Sequence, residues 1–292
     1  MRATRSLRLL SALGILLVVV PVVAGEFETL PTRPSGDPWN YLAAGERLNA
    51  GHPLYALSSG DRPVELHPPF WSVPLLSPPF IAVLWRPLAL FGDAAMVVWW
   101  AGGVLATAIF IVWLLRRLHS PWPIFALVAL SPPLVLGALT GNAIGYLIPM
   151  LALRHPAAVA VGAAVRLTPA LFAPSVGFLA TLGFGALLGA ISVVGAGIDN
   201  HLDWLRAVGS SAPTPSSISG MTGLPPLVVA AACLLLALQG WRAAVVAVTL
   251  VSPTTYFYTF GLLSLLLVPA DLRQQSGAWV AGVYERIRRW LT

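Results

Sequence analysis

The chain has 292 residues, 57% of them hydrophobic and only 10% charged, with a mean hydropathy of +0.81. An ordinary soluble domain carries about 25% charged residues, so this composition cannot cover a water-facing surface, and it excludes a secreted hydrolase or a soluble nucleic-acid binder. The formal net charge of +6 does not restore nucleic acid as a partner, because the basic residues sit at the ends of apolar runs, where they set membrane orientation.

These features predict an all-α polytopic membrane protein, a single domain over residues 1–292 with about ten transmembrane or partly spanning helices. The first apolar run, Leu9 to Ala24, follows Arg2, Arg5 and Arg8. It is longer than the 7–15-residue core of a cleaved signal peptide and is read as a first transmembrane helix. The arginines place the N-terminus in the cytoplasm.

Residues 25–92 then form a first external loop, which holds six of the eleven acids: Glu26, Glu28, Asp37, Glu46, Asp61 and Glu65. Pro68, Pro69, Pro74, Pro78, Pro79 and Pro87 break the apolar stretch Pro68 to Phe91, so it is expected to form helices lying at the interface. Ala94 to Leu115 crosses inward and stops at Arg116, Arg117 and His119.

Short crossings follow: Trp122 to Leu139, Ala143 to Leu153, Ala157 to Val165, Leu171 to Leu182 and Phe184 to Ile198. Helices of ten or so residues do not span about 30 Å of hydrocarbon, so they must pack among others and line a cavity. A second external loop, 199–223, carries a short helix Leu202 to Val208 and a Ser/Pro/Gly-rich linker. Pro226 to Leu238 returns inward, a final helical pair breaks at Ser252-Pro253, and residues 274–292 form an amphipathic tail on the cytoplasmic surface. The lone Cys233 excludes an intrachain disulfide or cysteine metal site, and no paired ligand spacing points to a metal or cofactor.

The chemistry falls to the few ionisable groups outside the cytoplasmic clusters. Asp37 precedes Pro38 at the start of an amphipathic stretch in which Tyr41, Ala44 and Leu48 share a face. It is placed to cap a helix, or to serve a cavity. His67, before Pro68-Pro69, faces the same cavity or simply marks the membrane boundary. Arg166, between apolar residues, requires an anion such as a phosphate, or snorkels to the outer interface.

Taken in order, DPWNYLAAGERLNAGHPLY with Asp37, Tyr41, Gly51 and Tyr55, HPPFW at 67–71, TGN at 140–142, RLTPAL at 166–171 and SPTTYFY at 252–258 resemble glycosyltransferase family 87, polytopic enzymes of the GT-C class. The resemblance runs over nearly the whole chain through short motifs. It implies transfer of a sugar, mannose or arabinose, from a polyprenyl-phosphate donor to a lipid or glycan acceptor at the outer face of the plasma membrane, without metal or cofactor. It also implies that Asp37 acts as general base, that Arg166 and His67 hold the donor phosphate, and that Tyr41, Asn142 and Tyr258 line the substrate cavity. The chain departs from the family at His67-Pro68-Pro69, where Tyr-Pro-Pro is common, at Asn142 in place of a Gln, and at Tyr258 in place of a His. A non-catalytic transporter or flippase of lipid-linked sugars, or an accessory subunit, would use the same broken helices.

Overall fold

The computed structural model describes residues 2–29, 37–55, 77–210, 217–252 and 257–269. Every regular element among them is helical. In chain order they are α1 (Arg2–Thr29), α2 (Asp37–Asn49), α3 (Pro79–Leu88), α4 (Asp93–Arg117), α5 (Pro121–Leu139), α6 (Ile144–Leu151), α7 (Pro156–Val165), α8 (Ala173–Val176), α9 (Phe178–Ala196), α10 (Ile198–Ser210), α11 (Ile218–Thr222), α12 (Pro226–Ala237) and α13 (Trp241–Leu250). Three 3-10 segments, Ala89–Phe91, Thr168–Phe172 and Phe257–Leu267, complete the set.

Three of these helices, α4, α5 and α9, are long and apolar enough to cross a membrane. At 1.5 Å per residue they are about 37, 28 and 28 Å long. They differ in how much they bury: half of the apolar window of α5 lies inside the protein, against 28% for α4 and 11% for α9. So α5 is the central post, packed against α1, α4, α6 and Phe257–Leu267, while α9 touches mainly α7 and α3 and presents its remaining faces outward.

Proline starts many of these helices. Pro79, Pro121, Pro156 and Pro226 occupy first-turn positions, where the missing N–H would have no partner and the ring already holds a helical φ. Pro132 and Pro133 lie inside α5 without ending it. Close packing there is carried by small residues: a Cβ on Gly261 would come 3.2 Å from Leu134 Cα, and one on Gly145 3.1 Å from Ala138 Cα.

One boundary differs from the sequence expectation. Leu171 to Leu182 and Phe184 to Ile198 were expected as separate crossings meeting near Gly183, but the break falls at Gly177 (φ +133°) and Phe178–Ala196 is one continuous helix. Gly183 sits inside that helix with open space around it, and an exposed helical glycine lowers helix propensity by only about 1 kcal/mol. The short piece before the break is Thr168–Phe172 with α8. The helix expected at Leu202 to Val208 is longer, Ile198–Ser210.

The stretch Pro79–Phe91 is packed into the bundle, with Ile81, Ala82 and Trp85 fully buried against α2, α9 and α7. Residues 68–76, expected to be interfacial, and the tail 274–292 lie outside the described residues.

Candidate functional site

The site is built where five chain segments end. Asp37 opens α2, Asn142 lies in the turn between α5 and α6, Arg166 follows α7, Ser252 follows α13, and Tyr258 opens the last 3-10 segment. Asn142 Nδ2 donates to Asp37 Oδ2 at 2.5 Å across 105 residues of chain, and to the Tyr258 hydroxyl at 3.3 Å across 116. Asn142 Oδ1 accepts from Ile144 N at 2.9 Å, which fixes the amide so that its NH2 faces the carboxylate. Arg166 Nη2 donates to Ser252 Oγ at 3.2 Å.

The turn that carries Asn142 has one permitted geometry. Gly141 holds φ +66°, and a Cβ there would meet Pro38 Cγ at 2.2 Å. Pro38 thus seats directly on the glycine, and this brings Asp37, its neighbour, onto Asn142. Tyr41, one turn along α2, is buried, and its hydroxyl interacts with the Ala143 backbone.

Asp37 is half-buried as a residue. Burial of its carboxyl raises the pKa above the ordinary aspartate value, opposed by the Asn142 hydrogen bond and then by the positive charge of Arg166. No ion pair within 4.0 Å joins Arg166 to Asp37 among the described residues, so the guanidinium acts on the carboxylate through space. Burial also pushes the Tyr41 hydroxyl well up, and the Asp37 charge pushes it further.

Five of the six residues singled out in the sequence therefore converge: Asp37, Tyr41, Asn142, Arg166 and Tyr258. His67 lies outside the described residues. Ser252 belongs to this end too; its position in the Ser252-Pro253 break was the available signal. Trp99 was also missed. Its Nε1 donates to Gly141 O at 2.9 Å, and the hint in the sequence was the Trp99-Trp100 pair near the start of an apolar run, where aromatic belts form.

A second cluster stands at the other ends of the same short segments. Arg154, in the turn between α6 and α7, donates through Nη2 to Val268 O at 2.8 Å and lies 4.8 Å from the Trp241 ring centroid. Phe172 stacks on that ring at 4.5 Å. Trp241 opens α13 and Val268 follows Phe257–Leu267, so α6, α7, α13 and the last 3-10 segment each run from one cluster to the other. Among the described residues no group of three or more His, Cys, Asp or Glu could hold a metal ion.

The fold and site together define an all-helical protein, over its described residues, with membrane-length apolar helices and a recessed carboxylate–amide–guanidinium site at one end. Compared with family models, curated proteins and solved structures, the chain matches none.

Proposed function

We propose that the chain is a GT-C-type glycosyltransferase of about ten membrane segments that moves a sugar, mannose in the first instance, from a polyprenyl-phosphate donor to a lipid or glycan acceptor. The reaction takes place at the outer face of the plasma membrane, with both termini cytoplasmic. The observation that carries this reading is the Asn142–Asp37 hydrogen bond with the charge of Arg166 acting on the same carboxylate and no ion pair within 4.0 Å closing acid onto cation among the described residues.

On this reading the acceptor hydroxyl attacks the anomeric carbon and a new C–O bond forms. The proton passes to Asp37, and the bond to the carrier phosphate breaks with its electron pair leaving on the phosphate. A sugar hydroxyl is a poor nucleophile until a positioned base takes its proton, and a carboxylate of raised pKa is the better base for it. The leaving group is an anion and needs a cation rather than an acid. Arg166, held by Ser252, supplies it. One displacement with one base inverts the anomeric centre.

The test is purified protein in lipid nanodiscs with radiolabelled polyprenyl-phosphate-mannose and a membrane lipid extract, wild type against Asp37→Asn. Label appearing in a new glycolipid with wild type alone supports the enzyme and its base. Donor binding without transfer by either protein would sink the enzyme and favour a non-catalytic handler of lipid-linked sugars.

A further inference from the structure

The indole of Trp99 stands between the two halves of the site. Its Nε1 donates to the carbonyl of Gly141 at 2.9 Å, the residue directly before Asn142. Its ring meets Tyr41 edge-on at 6.0 Å, four residues along α2 from Asp37 and therefore one turn away on the same face. The indole itself is wedged by Trp85 at 5.2 Å and Tyr146 at 4.6 Å, and the Tyr146 hydroxyl donates to the Trp99 carbonyl. Rings from α2, α3, α4 and α6 thus lock one N–H onto one carbonyl.

That carbonyl is a control point. The last carbonyls of a helix have no partner within it: at the end of α5 Trp100 Nε1 bonds Leu139 O at 2.8 Å, and in the turn just beyond it Trp99 Nε1 bonds Gly141 O. The Asn142 side chain has little freedom of its own, because its Oδ1 is occupied by Ile144 N. Where its NH2 lands is decided by the backbone at residues 141 and 142. Trp100 holds that backbone three residues upstream of Asn142, whereas Trp99 holds it at the adjoining peptide and braces α2 as well.

We infer that Trp99 is a positioning residue for Asp37, setting the Asn142–Asp37 contact through the Gly141 carbonyl and the Tyr41 ring. It touches no reacting atom. The groups that act on Asp37 are Asn142 and Arg166, with Tyr41 coupled to its charge and Tyr258 reached through Asn142. Glu46 and Arg47 lie toward the far end of α2, where Arg86 of α3 bonds Asn49, and Asp93 of α4 stands about 9 Å along its axis from Trp99. The Asn142 donation favours the ionised form of Asp37, so loosening it makes the carboxyl hold its proton to higher pH.

The experiment compares Trp99→Phe, which keeps a ring against Tyr41 but removes the N–H, with Trp100→Phe, which removes the neighbouring bond. Infrared titration of the protein in lipid follows the protonated carboxyl band that Asp37→Asn abolishes, and thermal melts run alongside. Trp99→Phe is expected to move that titration to higher pH in the direction of Asn142→Ala, and the double variant to move no further than Asn142→Ala alone. Trp100→Phe is expected to lose similar stability and leave the titration in place. A Trp99→Phe titration that overlays wild type, or one that adds to Asn142→Ala, overturns the inference.

Where transfer is measured, which rests on the proposed glycosyl chemistry, Trp99→Phe lowers kcat by about ten- to a hundredfold and shifts the acid limb of the pH profile upward. If wild type shows no transfer, the glycosyl reading falls and the infrared titration still decides the role of Trp99.

Discussion

The two ends of the short-helix bundle each hold an arginine, and they use it differently. Arg154 is packed as a joint: its guanidinium meets the Val268 carbonyl at a helix end and the face of Trp241, both good partners for a cation. It also carries the sole positive φ of a non-glycine among the described residues, +51°. Arg166 meets a serine hydroxyl at 3.2 Å and feels an aspartate beyond 4.0 Å. A carbonyl and an aromatic ring tie segments together. A carboxylate and a guanidinium that share a cluster of apolar helices without closing into an ion pair are instead candidates for chemistry or binding.

The comparison breaks first at Asp37. Asp37→Asn is expected to lower transfer by about a hundred- to ten-thousandfold with no loss of stability, whereas Arg154→Met is expected to lose about 1–3 kcal/mol of stability, by leaving a helix-end carbonyl without its donor, with donor KM unchanged. Equal transfer losses in both would erase the distinction. Next comes Arg166→Gln: removal of a cation at a phosphate raises donor KM by about ten- to a hundredfold. A rise as large in Arg154→Met would put the phosphate at the wrong end.

Gly141→Ala sharpens the comparison through stability. Its φ of +66° and the clash that a Cβ would make with Pro38 admit no side chain, and about 2 kcal/mol is expected to be lost, with transfer falling alongside because Pro38 carries Asp37. Gly183→Ala, in open space on α9, is the control, and a thermal melt of each reads the difference. The smallest effect belongs to Tyr258→Phe. It removes one 3.3 Å bond to Asn142 and is expected to slow transfer a few-fold, about 0.5–1 kcal/mol.

The raised pKa of Asp37 gives a signed test of its own. An acid whose folded pKa lies above its ordinary value, 3.8, binds more protons folded than unfolded between the two, so stability falls as pH rises through that window and the penalty is complete above it. Asp37→Asn is therefore expected to melt higher than wild type at neutral pH, the gap closing as pH falls below the ordinary value. On the proposed chemistry, transfer by wild type is expected to run the other way and to be lost as pH falls through the raised pKa. A variant that melts lower at neutral pH would mean the carboxylate is a structural partner.

Of the three membrane-length helices, α4 and α5 were legible because each rests on a local signal. Ala94 to Leu115 became Asp93–Arg117, and Trp122 to Leu139 became Pro121–Leu139, since a long apolar run ended by arginines or opened by proline leaves the chain one choice. The break at Gly177 was less legible, because Gly177 and Gly183 are equally permissive in sequence and the positive φ of +133° falls at Gly177. The burial of Ile81 and Trp85 was hidden for a related reason: an amphipathic stretch looks the same whether its apolar face meets lipid or protein.

By itself the sequence determined the solvent of this protein, its helical class and the short roll of groups able to carry chemistry. Composition and hydropathy are additive along the chain, and so they survive without knowledge of the fold. The tertiary structure alone decided that Asn142 would donate to a carboxylate 105 residues away, that the charge of Arg166 would act on that carboxylate, and that Trp99 would bond the turn that carries Asn142. Those facts depend on where helices end in space, which is fixed by the seat of Pro38 on Gly141 and the rings around Trp99. No window of sequence contains both sides of such a contact.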